Sequence, residues 1–237
     1  MKPVVLSFLL VALASVEAGA QAPGPATDPV LTVSGSAQVR ATPDLATVRL
    51  GVVRQADTAA AAQDGANGVA GRILDALAEA GVEERHIQTS RLTLTPIYSR
   101  QRSGEVNPRI IAYRAANTVT VRVEDLDLLG GVIDAGLGAG ANQLQGVTFG
   151  LKDDLPAREI ALGQAIGEAR RKAEAMSEAL DVRLEAVLSV NEGGVSIQRS
   201  MMEGRVMAMQ EAMPTPVSAG EVTVSASVSI RYRIGPN

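Results

Sequence analysis

Methionine is the one side chain in this sequence concentrated enough to predict chemistry. Five of the seven methionines stand close together, at Met201, Met202, Met207, Met209 and Met213. Thioethers pack against irregular surfaces, absorb oxidants as they become sulfoxides, and bind soft metals such as copper(I). The five methionines could therefore form a contact loop, a sacrificial antioxidant or a copper(I) site. Contact is favoured, and copper is favoured least because no histidine lies near the run.

A catalytic or metal centre would depend on His86, because the chain has one histidine and no cysteine. A Ser-His-Asp triad needs a positioned nucleophile, and the sequence has no G-x-S-x-G motif. Zinc needs three or four ligands. Asp125 and Asp127, like Asp153 and Asp154, stand at expected helix starts and lack the spacing of a calcium loop. We predict no enzyme activity, no metal and no cofactor.

Residues 136–141 read GLGAGA, which fits the G-x-G-x-x-A spacing of a dinucleotide-binding loop. That loop follows a strand and opens a helix. Here the glycines end an expected helix and precede a strand, so we interpret them as a helix terminus.

Charge argues against nucleic-acid binding, because the formal net charge is −4 and no dense basic cluster exists. Five arginines stand in two expected loops, with acidic residues among them: Arg100, Arg102, Arg109, Arg199 and Arg205. Binding to acidic envelope surfaces stays an alternative to solvated loop tips.

The first twenty residues predict a signal peptide. Lys2 precedes an apolar stretch at residues 4–14, and the small residues Ala18, Gly19 and Ala20 predict cleavage after Ala20. The stretch is shorter than the roughly 20 residues of a spanning helix. We expect residues 1–20 to be removed, residues 21–28 to form a flexible tether, and the mature chain to have no transmembrane segment.

Alternating apolar and polar residues predict strands at residues 31–40, 48–52, 87–97, 110–123, 143–151, 182–190 and 222–234. A polar hairpin tip is expected at residues 98–108. The text LTVSGSAQV near the N-terminus resembles VTVSASVSI near the C-terminus, so these segments either pair or occupy equivalent places. A mobile methionine-rich loop is expected at residues 193–220.

Three helices are expected at about residues 57–80, 125–137 and 154–180, with Asp57, Asp125 and Asp154 as N-caps. The inner face of the first is expected to contain Ala62, Ala66, Val69, Ile73 and Leu77. That of the third is expected to contain Leu162, Ile166, Ala169, Ala173, Met176 and Leu180. The pattern predicts an α+β fold of antiparallel sheets covered by helices. Two β-α-β-type halves are expected, residues 29–124 with 218–235, and residues 125–192.

The ordered segments together resemble one known family. They are LTVSGSAQVRATPDLATVRLGV, HIQTSRLTLTPIY, IAYRAANTVTVRVEDLDLLGGVIDAGLGAGANQLQGVTFGL, AREIALGQAIGEARRKAEAMSEALDVRLEAVLSVNE and PVSAGEVTVSASVSIRYRI. This set resembles the SIMPL-domain family, which includes bacterial periplasmic immunogenic and oxidative-stress-defence proteins. The resemblance covers almost all of residues 29–237.

The resemblance implies a periplasmic protein that is linked to stress tolerance, has no established catalytic activity and carries no recognised catalytic residues. We expect an exported, non-enzymatic envelope protein that acts through self-assembly or protein contacts and forms a homo-oligomer. The hairpin at residues 98–108 and the apolar run at residues 201–213 could each reach a neighbouring copy. A methionine-based antioxidant is the alternative, and copper(I) binding is less favoured.

Overall fold

The chain folds into two antiparallel sheets, one covered by a single helix and the other by two helices. The computed structural model describes residues 28–99, 108–198, 201–202, 215 and 217–237. The order of its elements is β1 (Val30–Ala41), β2 (Leu45–Ala56), α1 (Ala59–Glu79), β3 (Ile87–Tyr98), β4 (Ile110–Val123), α2 (Leu129–Gly138), β5 (Gln143–Gly150), α3 (Leu155–Ala179), β6 (Val182–Gln198), β7 (Met201–Met202) and β8 (Val222–Pro236). The three-stranded sheet has the order β1-β8-β6, and the five-stranded sheet has the order β3-β4-β2-β5-β7. The expected α+β class is confirmed.

The three-stranded sheet joins the two ends of the described chain. β1 and β8 pair along their whole length, from Val30 opposite Arg233 to Ala41 opposite Val222. The similar text of these two segments therefore reflects pairing. Alternate residues of both strands face α3, and their apolar side chains form one core with the helix.

Alanines bring α3 unusually close to the three-stranded sheet. Its buried row has a spacing of four residues and consists of Ala157, Ala161, Ala165, Ala169 and Ala173, followed by Ser177. A Cβ atom at Gly35 of β1 would collide with the backbone oxygen of Ala165 and lie 2.6 Å from the backbone nitrogen of Ala169. Small residues on both sides are what allow this approach.

The inner face expected for α3 was wrong in part. Ala169 and Ala173 are buried, but Ile166, Met176 and Leu180 are exposed and Leu162 is half-buried. The larger side chains cannot enter the narrow space that the alanine row leaves above the sheet. Residue size, and not hydrophobicity alone, selects the face that α3 buries.

The five-stranded sheet packs against α1 and α2 around a second core that contains Leu50 and Phe149. The inner face expected for α1 is confirmed, since all five of its predicted residues are buried. The expected cap was one residue early: the hydroxyl oxygen of Thr58, rather than Asp57, accepts the Ala61 N–H at 3.2 Å. Gly81 ends the helix with a φ of 89°, as expected for a C′ glycine.

The division of the chain between the sheets differs from the two expected halves. β2 to β5 all belong to the five-stranded sheet, whereas β1, β6 and β8 form the other sheet. The expected loop at residues 193–220 also begins later, because β6 continues to Gln198 and Met201–Met202 form β7. Gly194, with a φ of 101°, lies beside an irregularity in the pairing of β6 with β8 that lets the strand continue past the two glycines.

Candidate functional site

The beginning of the methionine run belongs to the five-stranded sheet. β7 pairs with β5, with Met202 opposite Val147 and Met201 opposite Thr148. Met207, Met209 and Met213 lie outside the described residues. The chain is described again at Thr215, whose N–H and hydroxyl both donate to the carboxylate of Asp134 on α2, at 3.2 and 2.6 Å.

Further along, Val217 and Ala219 pack against the core of the five-stranded sheet. The chain on both sides of residues 203–214 is therefore attached to the same core. Before this segment, β7 pairs with β5. After it, the Asp134 carboxylate accepts two hydrogen bonds from Thr215.

His86 lies in an ion cluster at the end of β4. Its Nε2 atom is 3.5 Å from Glu124 Oε1, and Arg122 Nε approaches the same oxygen at 3.2 Å. Lys152 Nζ lies 3.8 Å from the other oxygen of Glu124. The His86 side chain is 17% exposed. The cluster joins the start of β3 to the chain after β5, so His86 has a structural contact there.

One aspartate of each pair caps the turn that follows it, but the expected caps are confirmed only in part: Asp125 caps the short turn Leu126–Leu128 before α2, and the Asp154 side chain does not cap α3. Asp125 Oδ1 accepts the Asp127 N–H at 3.0 Å, and Asp153 Oδ1 accepts the Leu155 N–H at 3.0 Å. Asp154 instead forms a bidentate ion pair with Arg158 at 2.7 and 2.8 Å. Across the described residues, no three His, Cys, Asp or Glu side chains converge on a common metal position.

The glycine-rich segment at residues 136–141 ends α2, as its position predicts. α2 stops at Gly138, and Gly140 has a φ of 108° that reverses the chain. A side chain at Gly136 would overlap Leu50 of β2. These glycines serve helix termination and packing.

An apolar surface on β3 and β4 has no covering element within the described residues. We call the exposed leucines Leu92 and Leu94 the β3 surface; Tyr98, Ile110 and Ile111 are further exposed apolar side chains at the far end of the same two strands. Leu92 pairs across the strands with Asn117, and Leu94 with the buried Ala115. Both leucines therefore point to the face that α1 covers elsewhere, and Leu92 is still 57% exposed.

The β3 surface adjoins a sheet edge. β3 is an outer strand in the part of the sheet that the structure describes, so one side of its backbone has no strand partner there. Asn117, only 7% exposed, has a buried Oδ1 atom without a hydrogen-bond donor among the described residues. A free edge with apolar side chains is typical of a protein contact. This surface was not among the features expected from the sequence, although the alternation in RLTLTPIY was a signal for it.

The three-stranded sheet has a similar edge at β6. Val187 pairs with Tyr232 and Val190 with Ile230, so both valines point towards the side that α3 covers. Both are exposed, because α3 lies mainly over β1 and β8 and covers β6 only in part. The opposite edge is covered instead: Glu168 and Lys172 of α3 bind the Ser36 N–H and the Ser34 carbonyl oxygen at 2.5 and 3.1 Å.

Known proteins are similar to this chain along almost its full length. The SIMPL family, described as a protein of unknown function (DUF541), matches residues 31–232. The chain belongs to the SIMPL family.

The names of two relatives state no reaction, and one of them gives a location and an immune property. The chain is 31% identical to the 26 kDa periplasmic immunogenic protein of Brucella melitensis, with 96% of this chain and 94% of the relative covered. It is 29% identical to the protein YggE of Escherichia coli K12, over 94% of this chain and 89% of the relative. In the described part of the chain, no helix is long and apolar enough to cross a membrane.

Proposed function

We propose that this SIMPL protein is an exported, non-enzymatic protein of the periplasm that supports oxidative-stress tolerance by assembling with copies of itself. The observation that carries the proposal is the β3 surface, where exposed apolar side chains adjoin a strand edge. The signal-like N-terminus and the periplasmic relative support the location. The resemblance to oxidative-stress-defence proteins supports the role in stress.

Assembly through the β3 surface has a physical basis. A leucine side chain that moves from water to a protein interior gains about 1.5–3 kcal/mol. Because Leu92 and Leu94 are about half exposed, covering each one would gain on the order of 1 kcal/mol. Strand pairing along β3 would add backbone hydrogen bonds and define the register. The two contributions act at the same place.

Light scattering on the mature chain with both Leu92 and Leu94 replaced by serine tests this function. We expect the wild type to form an oligomer at micromolar concentration. Because the variant loses roughly 1 kcal/mol at each leucine, the concentration below which it dissociates should be at least tenfold higher than that of the wild type. Leu155 and Leu180, at the two ends of α3, offer a matched control, since they are 56% and 60% exposed and lie away from β3. Replacing these two with serine should leave the mass unchanged. Equal dissociation of both variants would contradict the proposal.

Peroxide treatment separates this function from the methionine-antioxidant alternative. Assembly predicts that the Leu92 and Leu94 variant loses peroxide tolerance in cells while its methionines remain. The alternative predicts that replacing Met201, Met202, Met207, Met209 and Met213 with leucine removes tolerance while the mass of the oligomer stays constant. Peptide mapping by mass spectrometry measures the sulfoxide at each position and shows whether these methionines oxidise faster than free methionine.

A further inference from the structure

The face of the three-stranded sheet opposite α3 is lined with hydroxyl groups. β8 directs its apolar residues towards the helix, so the residues between them face the other way. Cross-strand pairing then forms three rows on this face: Ser34 with Ser229 and Asn191, Ser36 with Ser227 and Gly194, and Gln38 with Ser225 and Ser196. We call these nine residues the hydroxyl face.

Most of these hydroxyl groups have no protein partner. The Oγ atoms of Ser196, Ser225, Ser227 and Ser229 form no hydrogen bond with any other residue in the described ranges. The three β8 serines are half-buried and Ser196 is exposed, so all four remain accessible from one side. Each hydroxyl can donate one hydrogen bond and accept two. The face therefore presents aligned donors and acceptors that only an outside molecule can use.

A shallow groove crosses the hydroxyl face. It has a volume of about 590 Å³, and its lining includes Ser36, Gln38, Gly193, Ser225 and Ser227. A Cβ atom at Gly193 would collide with the hydroxyl oxygen of Ser227. Glycine at this position is what leaves that hydroxyl open to the groove, so the groove depends on a specific residue.

Charged side chains border the three rows: Glu168 and Lys172 of α3 bind the backbone of Ser36 and Ser34 at the β1 edge, and arginines lie at the two ends of the sheet. No carboxylate occupies a position in the three rows. At the two ends of the sheet, Arg40 pairs with Glu221 at 3.7 Å and Arg233 with Asp28 at 3.0 Å. A strongly charged polymer would find few opposite charges in the rows. An apolar partner would bury several hydroxyl groups without hydrogen-bond partners, which is unfavourable.

We propose that the hydroxyl face binds a glycan chain whose hydroxyl and N-acetyl groups are uncharged. Such a chain donates and accepts hydrogen bonds along its length, which matches the rows of serine, asparagine and glutamine. It is also narrow enough to lie along an open groove that crosses three strands. The site is separate from the β3 surface, so this proposal is independent of self-assembly.

Titration of the full mature protein with N-acetylglucosamine oligomers tests the site, and cosedimentation with purified peptidoglycan provides a polymeric probe. We expect the wild type to bind both. The double variant Ser225→Val and Ser227→Val should bind about tenfold more weakly, since it loses the hydrogen bonds of two hydroxyl groups. Thr47→Val with Thr148→Val is a matched control, because these residues form a cross-strand hydroxyl pair on the other sheet. This control should bind like the wild type.

Gly193→Ala gives a second test that keeps every hydroxyl group. Its added methyl group fills the space beside Ser227, so we expect weaker glycan binding with an unchanged circular dichroism spectrum. No binding by the wild type, or equal binding by the serine variant and the threonine control, would overturn the proposal. A serine variant that binds glycan normally but changes the mass of the oligomer would also overturn it, because the face would then be a contact between copies.

Discussion

Gly35→Ala is expected to lower the temperature at which the three-stranded sheet unfolds. The new Cβ atom would meet the backbone oxygen of Ala165 and come within 2.6 Å of the backbone nitrogen of Ala169. Overpacking of a core costs about 1–3 kcal/mol. We expect the upper end, about 3 kcal/mol, because helix backbone cannot rotate aside as a flexible side chain can.

Differential scanning calorimetry measures this loss. In a chain of about this size, 1 kcal/mol shifts the midpoint by about 2–4 °C, so the expected decrease is about 6–12 °C. The two sheets have separate cores. If they unfold in separate transitions, only the transition of the three-stranded sheet should shift.

Gly163→Ala is the matched control for this prediction. Gly163 lies on α3 itself, and a Cβ atom there would meet nothing within 4 Å. Alanine in an open helix position should stabilise the protein by about 0.5–1 kcal/mol. If Gly35→Ala raised the midpoint as Gly163→Ala does, the close contact between α3 and β1 would be refuted.

Three further predictions concern polar contacts. Asn117→Leu should raise the free energy of unfolding in urea by about 1 kcal/mol, because it removes a buried oxygen that lacks a donor; a loss of stability would indicate that this oxygen has a partner. The Ser36 N–H and the ammonium group of Lys172 lower the pKa of Glu168 below 4.5. The stabilisation by Glu168 is therefore complete above pH 4.5 and disappears as the pH falls through the lower pKa of the folded state. Glu168→Ala should be less stable than the wild type at pH 7, and the difference should vanish in acid; a difference that does not depend on pH would contradict this. Asp134→Ala should speed hydrogen exchange at the Thr215 amide by tenfold or more, since that amide donates to Asp134, and an unchanged rate would show that the contact does not protect it.

The periodic parts of the chain could be predicted from the sequence. The inner face of α1 and the alternation of β8 follow directly from the spacing of apolar residues. The pairing of β1 with β8 could be anticipated from their similar text. These features depend on local patterns, which a single sequence carries.

Features that depend on contacts between residues far apart in the sequence could not be predicted. Hydrophobicity placed Ile166 and Met176 in the core, but the close approach at Gly35 leaves room only for alanines. The extension of β6 through Gly193 and Gly194 contradicts the usual meaning of paired glycines, because pairing with β8 overrides it.

The candidate surfaces were harder to predict than the fold. Leu92 and Leu94 have the spacing of an ordinary strand, and only the position of β3 at the sheet edge leaves them exposed. The hydroxyl face requires the register of three strands that are far apart in sequence. The composition of the methionine run predicted a loop, but two of its methionines, Met201 and Met202, are part of a strand.

Hydrogen exchange of residues 87–98, followed by mass spectrometry over a range of protein concentrations, tests self-assembly most directly. In a single copy, the outward N–H groups of β3 have no strand partner among the described residues, so they should exchange quickly. The proposed assembly predicts strong protection of this peptide at micromolar concentrations and its loss on dilution, with no change in the α3 peptide that contains Leu155. Exchange in residues 87–98 that is fast and equal at every concentration would contradict the assembly.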